Sequence, residues 1–175
     1  SSPVSITSHP RYPIRGHQLG YRTRSNTYDS WSLVEYEQYI RDLVAWGTNS
    51  IELIAPVPSG DVIRDLKFAS KAWDVSVRLS DLLDAYDLDV DLWMPVDDRV
   101  LPGSNVHGLK PYDFLCPSTR VGRKSILGLR RRLFEAMNRI DAVFIPGGDP
   151  GGCRCEKCRP WAMTLISLAK EIGAL

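Results

Sequence analysis

Apolar residues recur along this chain in two rhythms, short dense runs and helical spacings, and the two alternate four times. Ile14 to Arg22 reads as a first strand, with Arg15, His17 and Tyr21 among its polar and aromatic positions. A helix follows. Ser32 with Glu35 three residues on forms a capping box, and Leu33, Tyr36, Ile40, Leu43 and Val44 keep helical spacing until Gly47. Asn49 to Ile54 predicts a buried strand with one misfit, Glu52. Phe68 to Tyr86 predicts a second helix through Trp73, Val77, Leu79, Leu82 and Leu83, and Val90 to Val96 a third strand. A loop rich in Pro and Gly then runs from Asp97 to Gly122. A stretch that long is usually functional or holds a small element of its own. A helix over Arg123 to Arg139, a strand over Ala142 to Pro146 and a helix over Arg159 to Ile172 complete the pattern.

Strand and helix alternate without hairpin signals, which predicts right-handed crossovers, a parallel sheet and an α/β fold. Residues 1–13 form a proline-marked lead-in, and 14–175 carry the strand-helix units. Two architectures satisfy this order: an open doubly wound sheet, or the first four units of a (β/α)8 TIM barrel, which typically needs about 250 residues and at least about 200. Length favours the open sheet. The positions of the polar residues favour the barrel, and half a barrel would self-associate or need the rest of the barrel, because its edges present unpaired backbone groups.

Composition narrows the class of partner. With 22 basic against 21 acidic residues, a net charge of +1 and 43% hydrophobic residues, the chain is that of a globular domain with no field to draw nucleic acid or an anionic membrane. No apolar run approaches a membrane span, and the first residues show no signal peptide, so compartment stays unknown.

In parallel α/β folds ligands bind at the carboxyl ends of the strands. There the chain offers His17, Gln18, Tyr21 and Arg22, then Glu52, then Asp97 and Asp98, then Gly147-Gly148-Asp149. An acid-rich rim with aromatic and cationic groups suits a carbohydrate substrate, since glycoside hydrolysis uses carboxyl groups flanking the scissile bond. A carboxylate in the apolar Asn49–Ile54 run needs a partner, such as Arg15, or a raised pKa. Trp93 is a candidate sugar platform on the third strand, while His107, Lys110 and Tyr112 in the long loop are candidates to reach a substrate.

Pro10-Arg11-Tyr12-Pro13-Ile14-Arg15-Gly16 resembles the Pro-Arg-Phe-x-Trp-Arg-Gly motif of the family 20 glycoside hydrolases, the β-N-acetylhexosaminidases. Phe144-Ile145-Pro146-Gly147-Gly148-Asp149 resembles their Gly-Gly-Asp-Glu strand end, and Gly47 to Ile54 is similar to the corresponding region of α-glucuronidase-like barrels. The resemblance implies a glycosidase barrel in which Arg15 grips sugar hydroxyls and Asp149 orients the substrate's acetamido group or acts as base. It also implies a glutamate general acid after that aspartate, where this chain has Pro150. The acid would then come from Glu52, Asp97 or Asp98 or from the other half of the barrel, with Arg15 and His17 binding hydroxyls, unless the chain is not a hexosaminidase; a non-catalytic carbohydrate-binding barrel is the alternative.

Cys153-Arg-Cys155-Glu-Lys-Cys158 is a second constellation. Three thiolates in one loop are candidate ligands of a structural zinc ion, with Cys116, Asp149 or His107 as a fourth; packing, a disulfide or loop stapling are the alternatives. No other cofactor is signalled. Arg130-Arg131-Arg132 reads as a solvated helix face, and Trp31, Trp46, Trp73 and Trp161 as core.

Overall fold

The computed structural model describes residues 5, 7, 9–20, 28–59, 66–106, 108–146 and 152–175, with Asp29 and Phe68 described in their backbone only. Four strands, β1 (Gly16–Leu19), β2 (Ser50–Ile54), β3 (Asp89–Trp93) and β4 (Ala142–Phe144), form one parallel sheet in the order β1-β2-β3-β4. Four α-helices alternate with them: α1 (Leu33–Ala45), α2 (Leu66–Ala85), α3 (Arg120–Ala136) and α4 (Trp161–Ile172). The α/β alternation expected from the sequence is present.

Local chemistry explains the helix limits. Glu35 accepts from the Ser32 amide at 2.6 Å, closing the capping box of α1. The turn after the helix is closed at Gly47, whose φ of +89° suits glycine, with Gly47 N–H donating to the Val44 carbonyl at 2.9 Å and Thr48 N–H to that of Leu43 at 3.0 Å. Helix α3 starts three residues before the expected position because the Thr119 hydroxyl accepts from Gly122 N–H at 3.1 Å and caps it there. Ahead of α4, a 3-10 turn (Glu156–Cys158) occupies the chain, so that helix starts at Trp161 rather than Arg159.

Side chains of a strand alternate between faces, and here the two faces differ in kind. Leu19, Ile51, Leu53, Val90 and Leu92 belong to one buried cluster that also takes Tyr36 and Ile40 of α1, Leu79 and Leu83 of α2, Ile126 and Leu133 of α3, and Leu168 and Ile172 of α4. All four helices therefore cover the same face. The opposite face carries the register row Gln18, Glu52, Asp91, Ala142, none of which joins that cluster. Beyond that row, Ile54 and Ala72 form a smaller cluster against which Trp93 and Leu101 pack.

Three expectations are corrected. Arg130 is completely buried rather than solvated: its guanidinium donates to both Asp98 oxygens at 2.7 and 2.8 Å, to the Ile126 carbonyl at 3.0 Å and to that of Pro95 at 2.5 Å. Successive residues of a helix point about 100° apart, so consecutive arginines face different ways, and here Arg130 turns inward to Asp98. Trp46, expected in the core, is 89% exposed because α1 has ended one residue earlier. Strand β3 spans Asp89–Trp93 rather than Val90–Val96: Met94 N–H makes a last bond to the Phe144 carbonyl at 2.9 Å, and the chain then leaves the sheet as a buried loop. That loop does hold an element of its own, an antiparallel bridge between Arg99 and Phe114.

Losing one partner of the Arg130–Asp98 pair strands the other charge in the core. Arg130→Met or Asp98→Ala should lower folding stability by about 3–5 kcal/mol, read from urea unfolding midpoints, with the double variant recovering part of the loss.

Candidate functional site

The strand ends sort the expected site residues. Arg15 lies just before β1, at the amino-terminal end of the sheet. Its Nε donates to the Gly47 carbonyl at 2.5 Å, and its Nη1 donates to the carbonyls of Tyr12 at 2.9 Å and Pro13 at 3.2 Å. The guanidinium thus closes the α1–β2 turn, away from the carboxyl ends where a sugar would bind. The placement corrects the expected hydroxyl-gripping role. His17 sits on the helix-covered face, its Nε2 3.1 Å from the Tyr39 hydroxyl and its ring edge-on to Tyr39, so it too turns from the open face. Lys110 is exposed on the long loop, where its backbone N–H donates to the Asp113 carboxylate at 2.8 Å. Tyr21, His107 and Asp149 lie outside the described residues.

Glu52 does face the open side. Its partner is Gln18 on the neighbouring strand, whose amide donates at 2.6 Å, rather than Arg15. Asp91 stands beside it on β3 at the same register, accepting from the Ser50 hydroxyl at 2.6 Å. Adjacent strands run about 4.8 Å apart, so the open face carries two neighbouring carboxylates. Sequence reasoning missed Asp91. The signal was there: Asp89-Val90-Asp91-Leu92 alternates polar and apolar, which marks a strand with one polar face rather than a run buried on both.

The adjacent acids after β3 divide by role. Asp98 spends both oxygens on Arg130 and is a structural residue, which corrects its place among the catalytic candidates. Asp97 is equally buried, at 4% exposed, but among the described residues its Oδ1 has no hydrogen-bond partner. Burial pushes its carboxyl above the usual aspartate range, and the neighbouring Asp98 adds to the shift; the Ser59 hydroxyl and Arg99 oppose it.

The third cluster is the tightest. Cys116, from the turn before α3, meets the Cys153-x-Cys155-x2-Cys158 loop, and the four Sγ atoms lie within 4.8 Å of one another. The sulfur of Cys116 is 3.5 Å from that of Cys153 and 3.7 Å from those of Cys155 and Cys158. None is in a disulfide. Such a group of thiols can bind a metal ion. Their protons are unequally held: hydrogen bonds from Ser118 and Cys158 bring Cys155 down to about 6, while burial pushes Cys153 up to about 12. Two glycines permit the approach. A side chain on Gly122 would collide with the Cys116 backbone, and one on Gly152 with the Trp161 indole.

Asp97 binds its proton more tightly folded than unfolded. Between the unfolded aspartate value and the raised folded one, folding takes up a proton, so stability falls as pH rises through that window. Asp97→Asn should therefore flatten this fall and raise the unfolding midpoint near neutral pH, measured as urea midpoints across a pH series.

Among the described residues no helix is long and apolar enough to cross a membrane. No family model, curated protein or solved structure matches the chain, so the likeness to the family 20 and α-glucuronidase-like hydrolases is carried by the short motifs and the strand-helix order alone.

Proposed function

We propose that this chain is the first half of a (β/α)8 barrel that cleaves a glycosidic bond, with Asp97 as general acid and Glu52 and Asp91 as the further carboxyl groups of the sugar site. The observation that carries the reading is Asp97: a buried carboxyl beyond the carboxyl end of β3, with one oxygen free among the described residues and a pKa that burial raises. A general acid in a glycosidase needs that state, and a raised pKa is how proteins provide it. Asp97 also supplies what the motif lacks at Pro150. Asp149, at the end of the Gly-Gly-Asp motif, keeps its proposed part in orienting the substrate or acting as base.

The barrel half of the reading is supported by the sheet. Sequential strand order with every helix on one face is the arrangement of a barrel wall, whereas a doubly wound sheet reverses its order at a switch point. Beside β4 an apolar groove of about 730 Å³, lined by Phe134, Met137, Ile140, Val143, Ile145 and Ile172 among others, is where the next strand-helix unit of a barrel would pack. A structural zinc ion at the cysteine cluster belongs to the same reading. The partner is a carbohydrate; neither nucleic acid nor membrane is part of it. The second reading, a barrel that binds sugar without cleaving it, is favoured by Pro150 standing where the family motif has its glutamate.

Asp97→Asn should reduce turnover of glycosides with poor leaving groups by about 10²–10⁴-fold, the usual contribution of a positioned acid, and reduce that of nitrophenyl glycosides less, since these leave without a proton. Equal loss on both classes, or none, removes Asp97 from that role. Sugar binding by calorimetry with no cleavage of any glycoside would favour the binding reading. This chain alone should self-associate in light scattering coupled to size exclusion; a stable monomer would count against the half-barrel.

A further inference from the structure

We propose that Cys116, Cys153, Cys155 and Cys158 form a closed tetrathiolate zinc centre that staples the β3–α3 connection to the β4–α4 connection, independently of whether the domain is a glycosidase. The geometry is that of one tetrahedral ion. A zinc–sulfur bond of about 2.3 Å sets the sulfur–sulfur edge of a regular tetrahedron at about 3.8 Å. The separations of 3.5, 3.7 and 3.7 Å from Cys116 fall beside that value, and all others are within 4.8 Å. A polynuclear iron–sulfur cluster would hold its cysteine sulfurs farther apart, because each metal is ligated separately. Three sulfurs come from one six-residue stretch, but the fourth is brought from 37 residues away, which local loop packing does not require.

The surroundings are built for this approach. The Ser118 hydroxyl lies 3.0 Å from the Cys116 sulfur and 3.7 Å from that of Cys155, the place of an outer partner that orients ligands. The Thr119 hydroxyl donates to the Cys116 carbonyl at 2.8 Å, so the residue that caps α3 also fixes the ligand. On the other side, the Cys158 carbonyl accepts from the Thr164 hydroxyl of α4 at 3.2 Å. With all four tetrahedral positions taken by protein sulfur, no position is left for water or substrate, so the ion is a cross-link and not a Lewis acid. What it links is the start of α3 to the start of α4. Arg123 of α3 already ties the same two helices by pairing with Glu171 and donating to Ser167 at 3.1 Å. Both connections leave the sheet at the end where the proposed sugar site lies.

The chain purified from zinc-supplemented cells should carry one zinc per molecule by elemental analysis and native mass spectrometry. Cobalt exchanged into it should give the visible ligand-field bands of a tetrahedral sulfur site. Cys116→Ser should lose the ion. Cys155 is exposed, so its variants test ligation without disturbing the core: Cys155→Ala should become substoichiometric, whereas Cys155→His should restore one zinc. Ser118→Ala should weaken zinc by about 10–100-fold in chelator competition. Metal-free protein whose thiols all react freely in the folded state, full zinc retained by Cys116→Ser, or stoichiometric iron in place of zinc would each overturn the assignment.

Discussion

Every crossover in this domain turns the same way, and that constraint makes the rest of the molecule intelligible. A right-handed connection between neighbouring parallel strands places its helix on a fixed side of the sheet, so strands laid down in the order β1-β2-β3-β4 collect all their helices on one face. The main buried cluster then forms on that face, and the other carries a row of polar residues that pair with each other, with a small apolar cluster at Ile54 and Ala72 beyond it. Gln18 with Glu52 and Ser50 with Asp91 are the outcome. A chemical surface arises because the hydrophobic requirement has been met elsewhere.

The Arg130–Asp98 pair does for the long loop what the crossovers do for the sheet. An arginine fully inside a helix-sheet interface is stabilising only if its charge is matched, and Asp98 with the carbonyls of Pro95 and Ile126 supplies the match. The pair anchors the chain directly after β3. Its neighbour Asp97 is thereby also buried, with a Ser59 hydrogen bond in place of a cation. Two identical side chains at successive positions thus acquire different characters: Asp98 is bound up in an ion pair with Arg130, while burial raises the pKa of Asp97. The four cysteines meet at the same end of the sheet, where Cys116 of the β3–α3 connection lies against the Cys153–Cys158 loop of the β4–α4 connection.

Much of this was legible beforehand. The α1 capping box, the stop at Gly47, the four strand-helix units and the polar misfit at Glu52 follow from local spacing, because each depends on residues within a turn or two of one another. The errors have a common origin. Arg15 was matched to a motif by its neighbours in sequence, but its side chain answers to the Gly47 carbonyl, 32 residues on. Arg130 looked solvated because its partner lies 32 residues back. Trp46 looked buried because composition says tryptophan usually is, although the helix had already ended.

By itself the sequence determined the period of each segment, the order of strands and helices, and the chemical types gathered at the strand ends. Those are set by backbone sterics and by side chains that are close along the chain. Only the tertiary structure decided which face of the sheet the helices cover, which of two adjacent aspartates is paired, and which residue completes the cysteine cluster. Such choices depend on distances between segments 30 or more residues apart, as between Cys116 and Cys153, and pairing at that range is fixed by the packing of the whole domain.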